Sequence, residues 1–169
     1  MSYLKSQLIK SLKLEVTPWQ YMLAADFADK THMLRYEKYK ERNPHLTPTK
    51  CWHDIVSGTI SEFVAKNILQ FSNFNITDVN LEVLDAFDKS FDPDLLERNK
   101  GYRFHVKGVE ATHYTPSHLF ENNDPLVTNP EHNDYIISVS WFTDPQGICA
   151  GWINGCFKAS DIKKYNLYE

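Results

Sequence analysis

Glycine and cysteine are both scarce, with 6 and 3 of 169 residues. So little glycine, beside 42% hydrophobic residues spread along the whole length, excludes a collagenous, linker-like or wholly disordered chain. Cys51, Cys149 and Cys156 cannot close a disulfide framework and lack the paired spacing of metal ligands. A reducing compartment is therefore expected. Long apolar runs are missing as well. The strongest, such as Tyr135 to Val139, is a handful of residues, against the roughly 20 that span a bilayer. Between Met1 and Lys10, charged and polar residues interrupt the chain before an apolar run reaches signal-peptide length. No membrane partner and a cytoplasmic location are the expectations. There is no internal repeat, no low-complexity segment, no Gly-rich phosphate loop and no Gly-flanked nucleophilic Ser. A chain of this size buries about two thirds of its unfolded surface in one core, so 1–169 is expected to be a single domain.

Charge is present but uneven. The net charge is −4, yet residues 1–50 carry nine Lys or Arg against five acids. Between 78 and 97, seven acids (Asp78, Glu82, Asp85, Asp88, Asp92, Asp94 and Glu97) meet the single base Lys89. An acidic segment beside a basic one suits a site that holds a cation and a polyanion together. It also suits a solvated loop beside a solvated helix face.

Ser2 to Lys13 has Leu4, Leu8, Ile9 and Leu12 at helical spacing and reads as a short amphipathic helix. Thr17 as N-cap and Pro18 in the first turn open a second helix to about Arg42, stopped by Asn43 and Pro44. Arg35, Lys38 and Arg42 share one face of it, where they could meet a phosphate backbone or pair with Glu37 and Glu41. A third helix begins near Thr47 to Thr49 and carries Trp52, Ile55, Val56, Ile60, Phe63, Val64 and Ile68 on a helical period. Gly58 interrupts it, and close approach of another backbone would give that glycine a reason. After Leu69 the pattern shifts to alternation. Asp94 to Arg98 and Tyr102 to Lys107 read as a hairpin turned by Asn99-Lys100-Gly101. Tyr135 to Phe142 and Ile148 to Ile153 are further strands, separated by the turn Asp144-Pro145-Gln146-Gly147, and a short helix opens near Ser160. The fold class is α+β: N-terminal helices (1–48), then a core (49–160) built on a mixed, largely antiparallel sheet.

The hairpin brings polar residues together in either register. A loop centred on Asn99 and Lys100 sets Asp94 opposite His105; one centred on Lys100 and Gly101 sets it opposite Lys107. His105 and Lys107 are two apart and project from the same strand face. A carboxylate, an imidazole and an ammonium on one strand pair form a cation and phosphate site. Each residue also has an ordinary structural role open to it: Glu62 as an exposed helix residue, Asp94 as a turn residue, Lys107 as an edge-strand charge, His105 as a hydrogen-bond partner of Asp94. A histidine set (His105, His113 and His118) matches no compact ligand spacing. The Cys51, His53 and Asp54 group does not share a helix face.

Pro93-Asp94, then ten residues, then His105-Val106-Lys107 resembles the bipartite signature of the PD-(D/E)XK nucleases, with His where the second acid is expected. Gly58 to Leu69 resembles the helix before the sheet in phage-type members, which carries the family's upstream Glu, here Glu62. Ser117-His118-Leu119, Asn123-Asp124-Pro125, Asp134 to Val139 and Gly151-Trp152-Ile153 resemble later strands of small phage and prophage members. The similarity spans roughly 50–160. It implies a restriction-endonuclease-like sheet and metal-dependent hydrolysis of nucleic-acid phosphodiester bonds, DNA before RNA, in host cytoplasm if the gene is a phage's. It further implies Mg²⁺ or Mn²⁺ held by Glu62 and Asp94, with a backbone carbonyl near Val106 and with His105 as a variant ligand or proton handler. Lys107 would orient the attacking water or neutralise the phosphate. Glu82, Asp85, Glu97 or Glu110 could supply the missing carboxylate. A homodimer is a further implication, because two strands need two sites. The same fold without the reaction would bind nucleic acid or a host protein.

Overall fold

A computed structural model describes residues 12–83, 92–111 and 124–164. The segments 1–11, 84–91 and 112–123, with the expected first helix up to Ser11 and with Asp85, Asp88, His113 and His118, lie outside the described residues. The element order is β1 (Lys13–Glu15), α1 (Pro18–Arg42), α2 (Pro48–Phe71), β2 (Leu95–Glu97), β3 (Tyr102–Glu110), α3 (Pro125–Thr128), β4 (Asp134–Thr143), β5 (Cys149–Lys158) and a 3₁₀ turn (Ala159–Lys164). It is an α+β fold in which two long helices precede most of a five-stranded mixed sheet.

Both long helices start where their caps dictate. Thr17 Oγ1 accepts the Gln20 N–H at 3.2 Å while Gln20 Oε1 accepts the Thr17 N–H at 3.0 Å, a reciprocal cap with Pro18 in the first turn. Thr47 caps α2 from one side, its Oγ1 accepting the Lys50 N–H at 3.1 Å. Asn73, at φ 63°, turns the chain away after α2, a left-handed conformation asparagine tolerates. The helices are stitched side by side by Trp52 Nε1–H donating to Asp29 Oδ1 at 2.7 Å and by Gln20 with Asn67.

The sheet runs β1-β5-β4-β3-β2, with only β3 and β4 parallel. One face carries Leu95, Phe104, Ile137, Val139, Trp141 and Ile153 into the main core beneath α2, whose Ile60, Val64 and Ile68 are fully buried. Burying each such side chain contributes about 1.5–3 kcal/mol. Two strand glycines let the helix come so close. A Cβ on Gly108 would lie 1.6 Å from Ser61 Oγ, and one on Gly151 2.8 Å from Val64 Cγ2. The opposite face packs Ile136 against Val127, Ala159 and Ile162 in a smaller cluster.

Three expectations need correction. Lys13 does not end a helix; it opens β1, pairing with Trp152 of β5. Asp94 and Arg98 fall outside the hairpin strands; the short helix expected near Ser160 is a 3₁₀ helix, Ala159–Lys164. Gly58 has no backbone against it: a Cβ there would meet nothing within 4 Å. The close approach is made from the other side of the interface, by Gly108 and Gly151.

Candidate active site

The end of β2 creates the site. The observed register pairs Leu95 with Phe104 and Glu97 with Tyr102, so the Asn99–Lys100-centred alignment is the one adopted. Continued by two residues, it faces Pro93 to Val106, and proline has no N–H to offer the Val106 carbonyl. The Asp94 carboxylate accepts the Val106 N–H through Oδ2 at 2.6 Å. Residues of β3 alternate in direction. Arg103 N–H points at β4, donating to Asn133 O at 2.9 Å, so the groups of Val106 point to the β2 edge. Its carbonyl therefore leaves the strand on the side where Asp94 stands.

Glu62, on α2, lies within electrostatic reach of Asp94. It follows Ser61, the residue seated on Gly108 of β3, so contact between helix and strand sets its position. Burial lifts its carboxyl well above the ordinary glutamate range, the negative charge of Asp94 adds to the rise, and the Arg35 guanidinium opposes it. Glu62, Asp94 and Arg35 thus sit within electrostatic reach although they are far apart in sequence. Arg35 is half-buried on α1, its Cζ 5.5 Å from the centre of the Phe27 ring. Gly58, one turn before Glu62, leaves open space on that side of α2.

A buried carboxylate whose proton affinity a second carboxylate raises is relieved by a proton or a cation. The donors at hand are oxygens, namely Glu62, Asp94 and the Val106 carbonyl, which suit a hard divalent ion. Mg²⁺ commonly takes one or two carboxylates and completes its shell with water and phosphate. Among the described residues, no three His, Cys, Asp or Glu side chains are grouped to hold a metal. The pair fits Mg²⁺ or Mn²⁺ better than an ion needing a closed protein shell.

The remaining sequence candidates divide. His105 is buried and its Nε2 lies 3.1 Å from Asp134 Oδ1, so its recorded carboxylate partner is Asp134 rather than Asp94. Lys107 shares the face of Arg103 and His105 and stands beside Ser138 in the register. Lys38 follows Arg35 by three along α1, and Arg42 is its last residue. Glu97 is buried and committed to its turn, accepting N–H groups of Asn99 at 3.2 Å and Lys100 at 2.6 Å. Glu110 and Glu82 are exposed. Cys51 donates to His32 O, and burial pushes its thiol up, which disfavours a thiolate nucleophile.

Sequence reading missed Asp134 and Arg103. Arg103 Nε–H donates to Asp134 Oδ1 at 2.8 Å, and the Glu131 N–H donates to Oδ2 at 2.7 Å. These residues meet only because β3 and β4 pair in parallel across a long crossover, so no local spacing announces them. No protein-family model, curated protein or solved structure matches the chain.

Proposed function

We propose that this chain is a metal-dependent endonuclease that hydrolyses phosphodiester bonds in nucleic acid, with DNA the first substrate to test. The observation that supports it is that Glu62 on α2 lies within electrostatic reach of Asp94, whose carboxylate holds the Val106 N–H. Glu62, Asp94 and the Val106 carbonyl would hold Mg²⁺ or Mn²⁺, which supplies polarisation of the phosphate and a lowered pKa for bound water. Arg35 gives the site a positive side, and Lys38 and Arg42 extend the charge along α1 towards a phosphate backbone. Lys107, on the strand that carries Val106, neutralises charge on the phosphate or orients the water.

A second reading keeps the fold and drops the reaction. The pairing of His105 with Asp134 favours it, because that contact draws the imidazole's Nε2 away from metal duty. The chain would then bind nucleic acid or a protein partner.

Cleavage of supercoiled and single-stranded DNA with Mg²⁺, Mn²⁺ or EDTA separates the two. The nuclease reading expects metal-dependent nicking that Glu62→Gln, Asp94→Ala and Lys107→Ala each abolish. Absence of cleavage with either metal, or cleavage that survives all three substitutions, sinks it.

A further inference from the structure

Asp134 sits where three donors converge. Its Oδ1 receives Arg103 Nε–H at 2.8 Å and lies 3.1 Å from His105 Nε2, and its Oδ2 receives the Glu131 N–H at 2.7 Å. Arginine and the backbone amide can only donate, so the acceptor has to be a carboxylate with no proton of its own. Burial pushes the Asp134 carboxyl up, but the hydrogen bonds from Arg103, His105 and the Glu131 N–H outweigh it and leave the group below the ordinary aspartate range. Against an ionised oxygen the imidazole is held only by a proton on Nε2. A lone pair there would face a negative charge across 3.1 Å. When the ring is neutral, its single N–H is therefore at Nε2 and its lone pair at Nδ1.

His105 is 8% exposed. Among the described residues no buried side-chain nitrogen or oxygen lacks a partner, and the hydrogen bond recorded for this ring uses Nε2. Nδ1 is thus the ring atom left to meet solvent or a ligand. His105 directly precedes Val106, whose N–H is held by Asp94.

We infer that Asp134 is a positioning residue: anchored by Arg103 and the Glu131 N–H, it fixes the His105 proton on Nε2 and leaves Nδ1 of the neutral ring as a hydrogen-bond acceptor, one residue along from the Val106 that Asp94 holds. The role of Nδ1 rests on the nuclease reading; the tautomer does not. The acceptor suits a hydrogen on water or on the nucleic-acid substrate. An acid at this position, by contrast, would add a third negative charge to the pair.

Long-range ¹H–¹⁵N spectra of the full chain, metal-free and with the ring neutral, test this directly. The expected result is a pyrrole-type Nε2 and a pyridine-type Nδ1 for His105. In Asp134→Asn the amide cannot accept from all three donors, and the spectrum is expected to shift towards the Nδ1–H form. A wild-type ring protonated at Nδ1 overturns the assignment even if Asp134→Asn fails to fold, and an unchanged tautomer in a folded Asp134→Asn protein overturns the role of Asp134. With Mn²⁺ and DNA, kcat is expected to fall at least tenfold in Asp134→Asn with KM little changed; wild-type kcat would overturn the positioning role. The stated tautomer together with no cleavage by wild type would retire the nuclease reading and leave the tautomer assignment standing.

Discussion

Ser61 rests on Gly108 so closely that a methyl group on the glycine would lie 1.6 Å from Ser61 Oγ and 2.1 Å from its Cβ. That contact sets how α2 lies over β3, and with it the position of the next residue, Glu62, whose charge Asp94 opposes. Gly108→Ala is expected to destabilise the fold by about 1–3 kcal/mol through overpacking and to weaken divalent-metal binding by displacing Glu62. The double substitution Gly108→Ala with Ser61→Gly removes both clashing atoms. Urea unfolding of the four proteins in the cycle checks this, and additive effects would show that the contact does not govern the packing.

The raised proton affinity of Glu62 fixes the sign of a pH effect. The folded protein holds this proton above the pH at which the unfolded chain releases it. Stability of the metal-free protein should therefore fall as pH rises through the interval between the ordinary glutamate pKa and the raised folded one. Glu62→Gln should remove that decline and gain relative stability towards neutral pH. Cation binding displaces the proton, so affinity should rise with pH and binding should release protons. Calorimetric titration with Mg²⁺ and Mn²⁺ in buffers of different ionisation enthalpy measures the release; binding heats independent of buffer would contradict it.

The helices were legible because their signals are local. Thr17-Pro18, Asn43-Pro44 and Thr47-Pro48 mark ends that α1 and α2 adopt. The hairpin was legible down to two registers, of which the chain adopts the Asn99–Lys100-centred one, and Pro93 and the Asp94 side chain shorten β2 in a way alternation does not reveal. What local pattern could not reach was long-range pairing. β1 is three residues long and is defined by its partner β5, far along the chain. The parallel pairing of β3 and β4 brings Arg103 to Asp134 and takes the His105 Nε2 there as well. Gly58 misled because a helical glycine invites a packing reason, whereas the contact belongs to glycines on the strands. In the candidate site, Glu62 and Asp94 were named from a resemblance; their proximity is a property of the folded chain.

Asp94 has a structural duty and a proposed chemical one, and two substitutions separate them. Asp94→Asn keeps an oxygen for the Val106 N–H and removes the charge; Asp94→Ala leaves that N–H without its 2.6 Å partner. Asp94→Asn should stay within about 1 kcal/mol of wild-type stability, while Asp94→Ala should lose about 0.5–1.5 kcal/mol. Both should lose metal-dependent cleavage by a factor on the order of 100 or more, if an isolated carboxylate ligand contributes as single electrostatic groups do elsewhere. Thermal unfolding beside a plasmid-nicking assay reads both. Cleavage retained by Asp94→Asn would mean that the residue serves the sheet edge alone.

Arg103 offers the opposite pH signature. Its Nε–H holds Asp134 as a carboxylate, and its Nη1 lies 3.3 Å from Glu131 Oε1. The folded Asp134 binds its proton less readily than the unfolded chain does, so its contribution to stability is complete above the ordinary aspartate pKa and is lost as pH falls through the depressed folded value. Arg103→Met removes the donor and leaves Asp134 buried with His105 and one backbone amide. The expected cost near neutral pH is about 1–3 kcal/mol, the range for stripping a partner from a buried polar group. The substitution should also move the acid-unfolding midpoint upward, because an Asp134 relieved of Arg103 takes its proton at higher pH. Acid titrations followed by near-ultraviolet circular dichroism, wild type beside Arg103→Met, measure that displacement. Coincident midpoints would show that the Arg103 hydrogen bond is not what keeps Asp134 ionised.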